Sequence, residues 1–529
     1  MQVTTRTKTD LTITSSEEFL GYVNTVMVGT KKKTYYNLGE ESQDNLIQNI
    51  DKMINTCRPF AVLFPLADFS TDDARIVSGM RLFNNSKNLS EQHKKWEAYV
   101  LGDMLSKMQP NRVFDLFAYI IGYRRVKIET SSIRGKSKES RYVWKKVERA
   151  IGGRYAKGIM KDFLRRNRRM FDFWSVKYRK DMRRIALHLR LSPRLFPEVE
   201  WLFGGIAKGK VQKAVEKCRK SDILPTEMWS LPKEVARGFA LNKYKLTSEE
   251  FEKKFSEVGM ATKKEVRIAD KRVKKAGGVS KFDPAKQNIF DLFVYFGGQD
   301  ELPSDAEKWV LVAAKKEAKN IGFTFKDTAI VVDTSQSMYG SKETSNHPLY
   351  RALSLAFTIQ EATEGYSKIY FTSAKSNKLI PRANGASNYA PSILRALKEG
   401  GNNLKQIVII GDGYENSPEG MTHRLLFAFK KKIDTEDRIN FMHLNPVQAG
   451  ESVESVREIT PLIPSVAIRD TKSIGFSVFM ALAKKDPERA IQTYLKILIG
   501  FQREYVRGLM PTEVNRLIGQ LNEEESIQL

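Results

Sequence analysis

After about residue 320, short runs rich in Ile and Val alternate with stretches of helical periodicity, and this alternation restricts the fold more than any other feature. The apolar runs read DTAIVVDTS, SKIYFTSA, QIVIIGDG, RINFMHLNP and PSVAIRDT. The helical stretches include PLYRALSLAFTIQEAT, APSILRALKEG and MTHRLLFAFKKK. Strands that alternate with helices form parallel βαβ units, so this part predicts a doubly wound α/β domain with a parallel sheet covered on both faces.

Residues 1–320 instead show helical periodicity almost throughout. In EESQDNLIQNIDKMINTC, for example, Leu46, Ile50 and Met53 lie at helical spacing. Many medium-length amphipathic helices with short connections predict an α-solenoid of stacked helix pairs, although no regular sequence period is present. We therefore expect a helical domain over 1–320, an α/β domain over 321–485 and a C-terminal helical extension over 486–529.

Composition limits the compartment and the partners. The chain has 529 residues, too many for one core, and only two cysteines, which match no metal or disulfide spacing and suggest a reducing compartment. The first residues contain no apolar leader, and no run of about 18 apolar residues occurs anywhere. We expect a cytoplasmic, monomeric protein without a membrane segment. The net charge of +26 favours a polyanionic partner over solvated lysines alone.

Oxygen-bearing side chains follow two of the predicted strands. Asp333, Ser335 and Ser337 come directly after IVV, Asp412 follows QIVIIG, and Ser387 lies in a loop just before a helix. In open parallel sheets, ligands bind beyond the carboxyl ends of the strands. An all-oxygen set of low charge suits a hard divalent cation, above all Mg²⁺, and leaves a coordination position for an oxygen of a partner. These five residues are the candidate metal ligands.

The alternative interpretation of these residues is structural, because Asp and Ser after a strand are also common helix N-caps. The conjunction of two such strand ends within one βα pattern favours the metal site. No general base or nucleophile pair accompanies it, and the five histidines form no evident cluster. Two-metal nuclease chemistry usually needs more carboxylates. We therefore predict a binding site, no catalytic residues and no enzymatic activity.

The helical part carries its densest charge over residues 131–220, which contain 27 Lys and Arg against eight Asp and Glu. Guanidinium groups bind phosphates well and release counterions when they do. Nucleic-acid contact is favoured over a solvated face for the cations, and a place in the core is favoured over base stacking for the interleaved aromatic residues. RNA is preferred to duplex DNA. The candidate RNA-binding residues are Arg165, Arg166, Arg168, Arg169, Lys177, Lys180, Arg183, Arg184 and His188.

The C-terminal half resembles a von Willebrand factor A domain, whose metal-ion-dependent adhesion motif is similar to DTSQS. The resemblance assigns Asp333, Ser335 and Ser337 to the first metal loop of that family and Asp412 to the third. Ser387 stands where the family usually has Thr, so the hydroxyl is retained. A further departure is Gly411, which stands where many members have Thr, and it places the support of the third loop in question.

The order of a basic helical region and an A-type domain resembles the Ro autoantigen family, in particular its bacterial or phage members. Its helical part is the TROVE domain. The segments that carry the resemblance are FLGYVNTVMVGTKKKTYY, YVWKKVERAIGGRYAKG, FWSVKYRKDMRRIALHLRLSP, LPTEMWSLPKEVARGFA and KWVLVAAKKEAKNIGFTFKDTAIVVDTSQSM. Arg184 and His188 fall near the helix with which the family binds Y RNA.

The resemblance implies that HEAT-like repeats close into a ring that the A domain completes. It also implies that small structured Y-like RNA binds on the outer basic surface, and that single-stranded 3′ ends of misfolded noncoding RNA enter the hole. A 3′ exoribonuclease tethered through the RNA is a further expected partner. The alternative function is an adhesion or co-chaperone scaffold, in which the metal site binds a protein carboxylate and the basic half only solubilises the chain.

Overall fold

The protein is described by a computed structural model over residues 39–67, 70–84, 89–130, 139–146, 153–258, 282–299, 301–321, 324–340, 347–372, 379–447, 457–483 and 510–511, with residues 22, 26, 270, 273 and 508. The chain divides into two compact units. The α/β unit comprises Met1–Arg81, Lys95–Val100 and Pro284–Leu529, and the helical unit comprises Leu82–Lys94 and Leu101–Asp283. The multidomain α and α/β architecture that the sequence predicts is confirmed.

Helices are numbered here in chain order. Those before the parallel sheet are α1 (Gly39–Thr56), α2 (Arg58–Leu63), α3 (Asp72–Asn84), α4 (Glu91–Lys107), α5 (Pro110–Ile120), α6 (Gly153–Arg166), α7 (Phe171–Lys177), α8 (Arg179–Leu189), α9 (Val199–Leu202), α10 (Lys210–Lys220), α11 (Lys233–Asn242), α12 (Ser248–Val258), α13 (Ile289–Gly297) and α14 (Ala306–Ala318). Those that cover the sheet or follow it are α15 (His347–Glu361), α16 (Ala390–Gly400), α17 (Met421–Lys432) and α18 (Ile474–Ala483).

Several helices begin at residues whose side chains satisfy the first free N–H groups. The hydroxyl of Ser90 accepts a hydrogen bond from the backbone N–H of His93 at 3.2 Å, at the start of α4. The side chain of Asn288 accepts one from Asp291 at 2.7 Å, at the start of α13. Pro110 occupies the first turn of α5, where its missing N–H costs nothing. Local sequence thus sets these helix ends.

Two antiparallel strands interrupt the helical part, so the expectation of helix almost throughout residues 1–320 is wrong at 123–130 and 139–146. Strands β1 (Tyr123–Thr130) and β2 (Glu139–Lys146) pair in antiparallel register. Helix α5 stops at Ile120, and Gly122 takes φ of 89°, which is a left-handed conformation that ends a helix. The segment YRRVKIET alternates apolar and charged residues, and this period of two is the strand signal.

Aromatic side chains form the core that joins α5, α6 and α7 in the helical unit. The rings of Phe163 and Trp174 stack with centroids 5.7 Å apart. Phe114 meets Trp174 edge-on at 5.3 Å, and Phe117 meets Phe163 edge-on at 5.7 Å. The buried aromatics of the basic segment therefore belong to the core, as the favoured interpretation of the sequence has it.

The α/β unit contains a five-stranded sheet in the order β4-β3-β5-β6-β7, and every described pairing in it is parallel. In register, Val332 lies opposite Ile410. Each strand coincides with one of the Ile- and Val-rich runs in the sequence. The strands are β3 (Phe325–Val332), β4 (Thr363–Phe371), β5 (Gln406–Ile410), β6 (Asn440–Asn445) and β7 (Ser465–Ala467).

Both faces of the central strands are covered. Residues 329–332 of β3 and 407–410 of β5 have no exposed surface. On one face, Ile393 of α16 and Leu426 of α17 pack in one cluster with residues 329, 331, 407 and 409 of these strands. Helix α15 packs on β3, β4 and β5 as well. Continuous burial explains why these runs are wholly apolar instead of alternating.

The order of the strands creates a crevice at one position of the sheet. From β3 the chain crosses to β4 on one side and later returns to β5 on the other side. Loops that leave β3 and β5 at their carboxyl ends therefore diverge, and this is where open α/β sheets bind ligands. Asp333 and Asp412 follow these two strands.

The predicted domain boundaries at residues 320 and 485 mark where the sequence pattern changes, and they stay predictions. The C-terminal extension over 486–529 lies outside the described residues, apart from residues 508, 510 and 511. Among the described helices, none is long and apolar enough to cross a membrane.

Truncation of a central strand residue tests the assignment of the sheet core. We expect Ile330→Ala to lower the free energy of unfolding by about 2–5 kcal/mol, because it leaves a cavity in a fully buried site. Urea unfolding followed by circular dichroism measures the change. Lys326→Ala, at an exposed position of the same strand, is the control and should alter the midpoint little.

Candidate metal centre and candidate nucleic-acid interface

The first loop of the candidate metal centre begins where β3 ends. The backbone N–H of Asp333 still donates to the carbonyl of Ile410 at 2.8 Å, so the sheet itself positions this carboxylate. The carboxylate oxygen Oδ1 then accepts a hydrogen bond from the backbone N–H of Ser335 at 2.9 Å, which folds the loop back on itself. As a result the hydroxyls of Ser335 and Ser337 lie 2.9 Å apart.

A second loop, residues 384–389, is bound to the first through backbone hydrogen bonds. Asn384 N–H donates to the carbonyl of Thr334 at 2.9 Å, and Gln336 N–H donates to the carbonyl of Gly385 at 2.9 Å. Ser387 is buried in this loop, three residues before α16, as the sequence predicts. The two backbone hydrogen bonds therefore hold the loop of Ser387 against the turn that carries Ser335 and Ser337.

The third loop follows β5 and carries Asp412, which has no exposed surface. Its Oδ1 accepts a hydrogen bond from the backbone N–H of Tyr414 at 2.9 Å. The side chain of Asn445, at the end of β6, donates to the carbonyl of Asp412 at 3.0 Å. Asn416 connects this loop to the second loop, because its side-chain oxygen Oδ1 accepts a hydrogen bond from the backbone N–H of Ser387 at 3.0 Å. The three loops thus form one hydrogen-bonded assembly.

Two residues that support Asp333 have no signal in the sequence. The hydroxyl of Tyr389 donates to Oδ2 of Asp333 at 2.8 Å, and the hydroxyl of Thr372 donates to Oδ1 at 3.2 Å. Gly411 makes room for the tyrosine, since a Cβ at this position would lie 2.5 Å from its hydroxyl. Gly411 therefore leaves the space in which the hydroxyl of Tyr389 reaches the first loop.

Burial and a neighbouring negative charge both act on the pKa of Asp333. Burial, and secondly the nearby Asp412, raise the pKa of Asp333 to about 7. Burial, and to a smaller extent the carboxylates of Asp333 and Asp412, raise the pKa of Tyr389 well above its usual value. The phenol therefore keeps its proton and remains a hydrogen-bond donor. All the hydrogen-bond donors of Asp333 are neutral groups, and no described cationic side chain pairs with it. A bound cation would compensate this charge.

The donor set fits a hard divalent cation better than a softer metal. It offers carboxylate and hydroxyl oxygens, without cysteine or histidine. In the part of the chain that the structure describes, no three His, Cys, Asp or Glu side chains group as metal ligands. The candidate centre therefore depends on the hydroxyls of Ser335, Ser337 and Ser387 as much as on the two carboxylates.

In the helical unit, two arginines of the predicted RNA-binding set form internal ion pairs. Arg166 lies 2.5 Å from a carboxylate oxygen of Asp162 and 3.8 Å from Asp103. Arg168 lies 2.6 Å from Glu198 and also donates to the carbonyl of Leu195 at 2.9 Å. These two guanidinium groups have structural partners, which the spacing of charges in the sequence does not reveal.

Two more members of the set have partners within the unit. Arg184 lies 3.3 Å from Asp181, and its guanidinium carbon lies 4.6 Å from the ring centroid of Tyr123. Lys177 lies 3.6 Å from Glu234. His188 is partly buried on α8.

The remaining four cations are exposed, and none of them forms an ion pair with a described residue. They lie on α6, on the turn that follows it, at the start of α8 and in the middle of α8. They are Arg165, Arg169, Lys180 and Arg183. The predicted set therefore divides into structural cations and cations that are free to bind a ligand.

Two further arginines join Arg183 in the folded chain, although they are not in the predicted set. The guanidinium carbon of Arg179 lies 4.2 Å from the ring centroid of Trp201, and that of Arg219 lies 5.7 Å from the same centroid. Arg219 is 40 residues from Arg179 in the sequence, so only tertiary packing brings them together.

Replacement of Asp333 tests the candidate metal centre. Because the folded state raises the pKa of Asp333 to about 7, its contribution to stability is fully present below pH ~4 and is lost as the pH rises through 7. In chelator at pH 8, Asp333→Asn should therefore raise the melting temperature by at least about 2 °C. Mg²⁺ should stabilise the native chain at pH 8 more than at pH 5, and should not stabilise the variant.

Calorimetry at both pH values, with EDTA and with Mg²⁺, measures these shifts. Ser337→Ala is the control, since it keeps both carboxylates. It should weaken the stabilisation by Mg²⁺ and preserve the pH dependence in chelator. Equal melting temperatures for the native chain and Asp333→Asn under all four conditions would contradict the metal assignment.

Gly411→Ala tests the packing of Tyr389 against the first loop. The added Cβ would lie 2.5 Å from the tyrosine hydroxyl and 2.8 Å from Cβ of Asp333, so we expect a loss of about 1–3 kcal/mol. Adding Tyr389→Phe should relieve part of the clash, and the double variant should lose less than the sum of the two single variants. Gly158→Ala, where a Cβ would meet nothing within 4 Å, controls for the substitution itself.

Comparison with known proteins gives no assignment. No protein-family model matches this chain, and no curated protein sequence matches it. The similarity to the Ro autoantigen family therefore rests on the sequence segments and on the loop residues described above, and membership of that family stays a prediction.

Proposed function

We propose that this chain is an RNA-binding protein of noncoding RNA quality control. In this proposal, structured Y-like RNA binds on the basic surface of the helical part. That part continues as HEAT-like repeats into a ring, whose hole takes single-stranded 3′ ends of misfolded RNA. The α/β unit is a von Willebrand factor A-like domain. The protein acts in the cytoplasm as a monomer and is not an enzyme, and RNA tethers a 3′ exoribonuclease to it.

The observation that carries the proposal is the group of exposed cations without ion-pair partners among the described residues of the helical unit. The exposed cations are Arg165, Arg169, Lys180 and Arg183. They lie within residues 131–220, which contain 27 basic and eight acidic residues. Phosphates would compensate this charge and release counterions.

The metal centre has a separate role in this proposal. A divalent cation, most simply Mg²⁺, is held by Asp333, Ser335, Ser337, Ser387 and Asp412. When bound, it supplies positive charge at the crevice and a coordination position for an oxygen of a partner. Tyr389 and Thr372 orient Asp333 through its two carboxylate oxygens, and the hydrogen bonds among the loops hold the hydroxyls together.

The second candidate is a scaffold protein that binds a partner's carboxylate through the metal centre. The hydrogen-bonded assembly of the three loops favours this function, because a scaffold of this kind needs no contribution from the basic surface. Under this alternative, EDTA removes the protein partner. Under the RNA proposal, EDTA leaves binding by the basic surface intact.

Charge removal at the exposed cations tests the RNA proposal. We expect the triple variant Arg165→Gln, Arg169→Gln, Lys180→Gln to bind structured RNA at least about tenfold more weakly than the native chain. The slope of log affinity against log salt should fall by about 0.7–0.9 for each phosphate that the variant no longer neutralises. Titration of the full chain with a labelled small RNA hairpin at several salt concentrations measures both quantities.

The matched control removes the same charge from α14 and its C-cap residue in the other unit, as Lys308→Gln, Lys316→Gln, Lys319→Gln. It should change affinity less than the test variant. Equal losses in both triple variants would show that net charge alone attracts RNA, and native protein that binds no RNA would end the proposal.

A further inference from the structure

Three arginines meet around two aromatic residues where α8, the end of α9 and α10 approach one another. Besides the contacts of Arg179 and Arg219 with Trp201, the guanidinium carbon of Arg183 lies 5.5 Å from the ring centroid of Phe203. We call these five residues the arginine–aromatic cluster. It involves residues that are distant in the sequence and lies within the helical unit.

The charge of this cluster is poorly compensated. Among the described residues, Glu216 is the only acidic side chain that forms an ion pair or a hydrogen bond with the side chains of the cluster. It already accepts hydrogen bonds from Arg219 at 2.6 Å and from the indole N–H of Trp201 at 2.9 Å. No described carboxylate forms an ion pair with Arg179 or Arg183. Burial, and secondly the nearby Arg219, lower the pKa of Arg179, which reflects the unfavourable approach of like charges.

The two aromatic residues differ in exposure, and this difference assigns them different roles. Trp201 is only 3% exposed and serves as a support for two guanidinium groups. Phe203 is 44% exposed, and Ile206 in the same loop is 70% exposed. Gly204 takes φ of 93° between them, a left-handed conformation that marks a turn directly after Phe203. An apolar ring is thus exposed to solvent beside Arg183, which has no acidic partner among the described residues.

We propose that the arginine–aromatic cluster is a subsite for an unpaired nucleotide of single-stranded RNA. The guanidinium groups of Arg179, Arg183 and Arg219 bind the phosphates on either side, and the exposed ring of Phe203 stacks on the base. This inference rests on the proposed RNA-binding function and deepens it. It adds Arg179, Arg219 and Phe203 to the interface and names the form of RNA that binds there.

Single-stranded RNA fits this surface better than the other ligands of the same charge. A base inside a duplex has no free face, so duplex RNA would use the arginines and leave the phenylalanine ring in water. An acidic peptide would pair with the arginines but has no flat group to cover the ring. The combination of exposed ring and uncompensated cations is satisfied by an unpaired nucleotide.

The experiment compares a labelled 12-nucleotide single-stranded RNA with an abasic ribose-phosphate chain of the same length, by fluorescence anisotropy on the full chain. We expect Phe203→Leu to weaken binding of the base-bearing RNA about 5- to 150-fold, which corresponds to one stacked base. The same variant should leave the abasic chain unaffected. Phe203→Trp should retain or strengthen binding of the base-bearing RNA.

Charge variants provide the second arm. Arg183→Gln should weaken both ligands and lower the salt slope by about 0.7. The control Arg154→Gln, at an exposed position in the first turn of α6, should affect both ligands less. Circular dichroism and melting curves verify that each variant is folded.

Each outcome decides the proposal. Selective loss of the base-bearing RNA in Phe203→Leu supports it. Equal binding of both ligands by the native chain and this variant overturns the subsite, while RNA binding through the exposed cations of α6 and α8 would stand. Competition by polyglutamate at equal charge concentration would assign the cluster to an acidic protein and also overturn it. Native chain that binds neither ligand would remove the RNA function itself.

Discussion

The parallel pairing of β3 with β5 brings two carboxylates to the same buried edge of the sheet, and the candidate metal centre depends on this pairing. Asp333 follows one strand and Asp412 follows the other, and neither has exposed surface. Two buried like charges are unfavourable unless neutral donors and a cation compensate them. The surrounding loops supply the donors. Burial and the nearby Asp412 nevertheless raise the pKa of Asp333, so a bound cation would stabilise its charged form.

The helical unit handles an excess of the opposite charge in two ways. Some basic side chains pair with carboxylates from other turns, as Arg168 does with Glu198, and these fix one helix to the next. Others lie on the surface or stack on aromatic rings without an acidic partner. Because the cost of gathering like charges falls when a polyanion binds, the second group is the stronger candidate for function. The arginine–aromatic cluster combines both groups, since Arg219 pairs with Glu216 whereas Arg179 and Arg183 have no acidic partner among the described residues.

The two candidate sites use different chemistry and belong to different units. The metal centre presents oxygen ligands from three loops of the α/β unit, whereas the arginine–aromatic cluster presents guanidinium groups and a ring from the helical unit. A protein partner that offers a carboxylate suits the first, and an unpaired nucleotide suits the second. The two proposals therefore concern different kinds of partner and different units of the chain.

Sequence by itself determined the elements whose signal is local. The Ile- and Val-rich runs, the helices between them and the placement of Asp333 and Asp412 after β3 and β5 all follow from periodicity and from strand-end chemistry. The alternation in YRRVKIET, at β1, is a strand signal of the same local kind.

Tertiary structure alone decided which residues act together. Tyr389 supports Asp333 from 56 residues away in the sequence, and a Cβ at Gly411 would collide with both of these side chains. Likewise, the ion pair of Arg168 with Glu198 and the meeting of Arg179 with Arg219 depend on how helices pack. Spacing along the chain predicts which side chains share one face of one element, but contacts between elements depend on the whole packing arrangement.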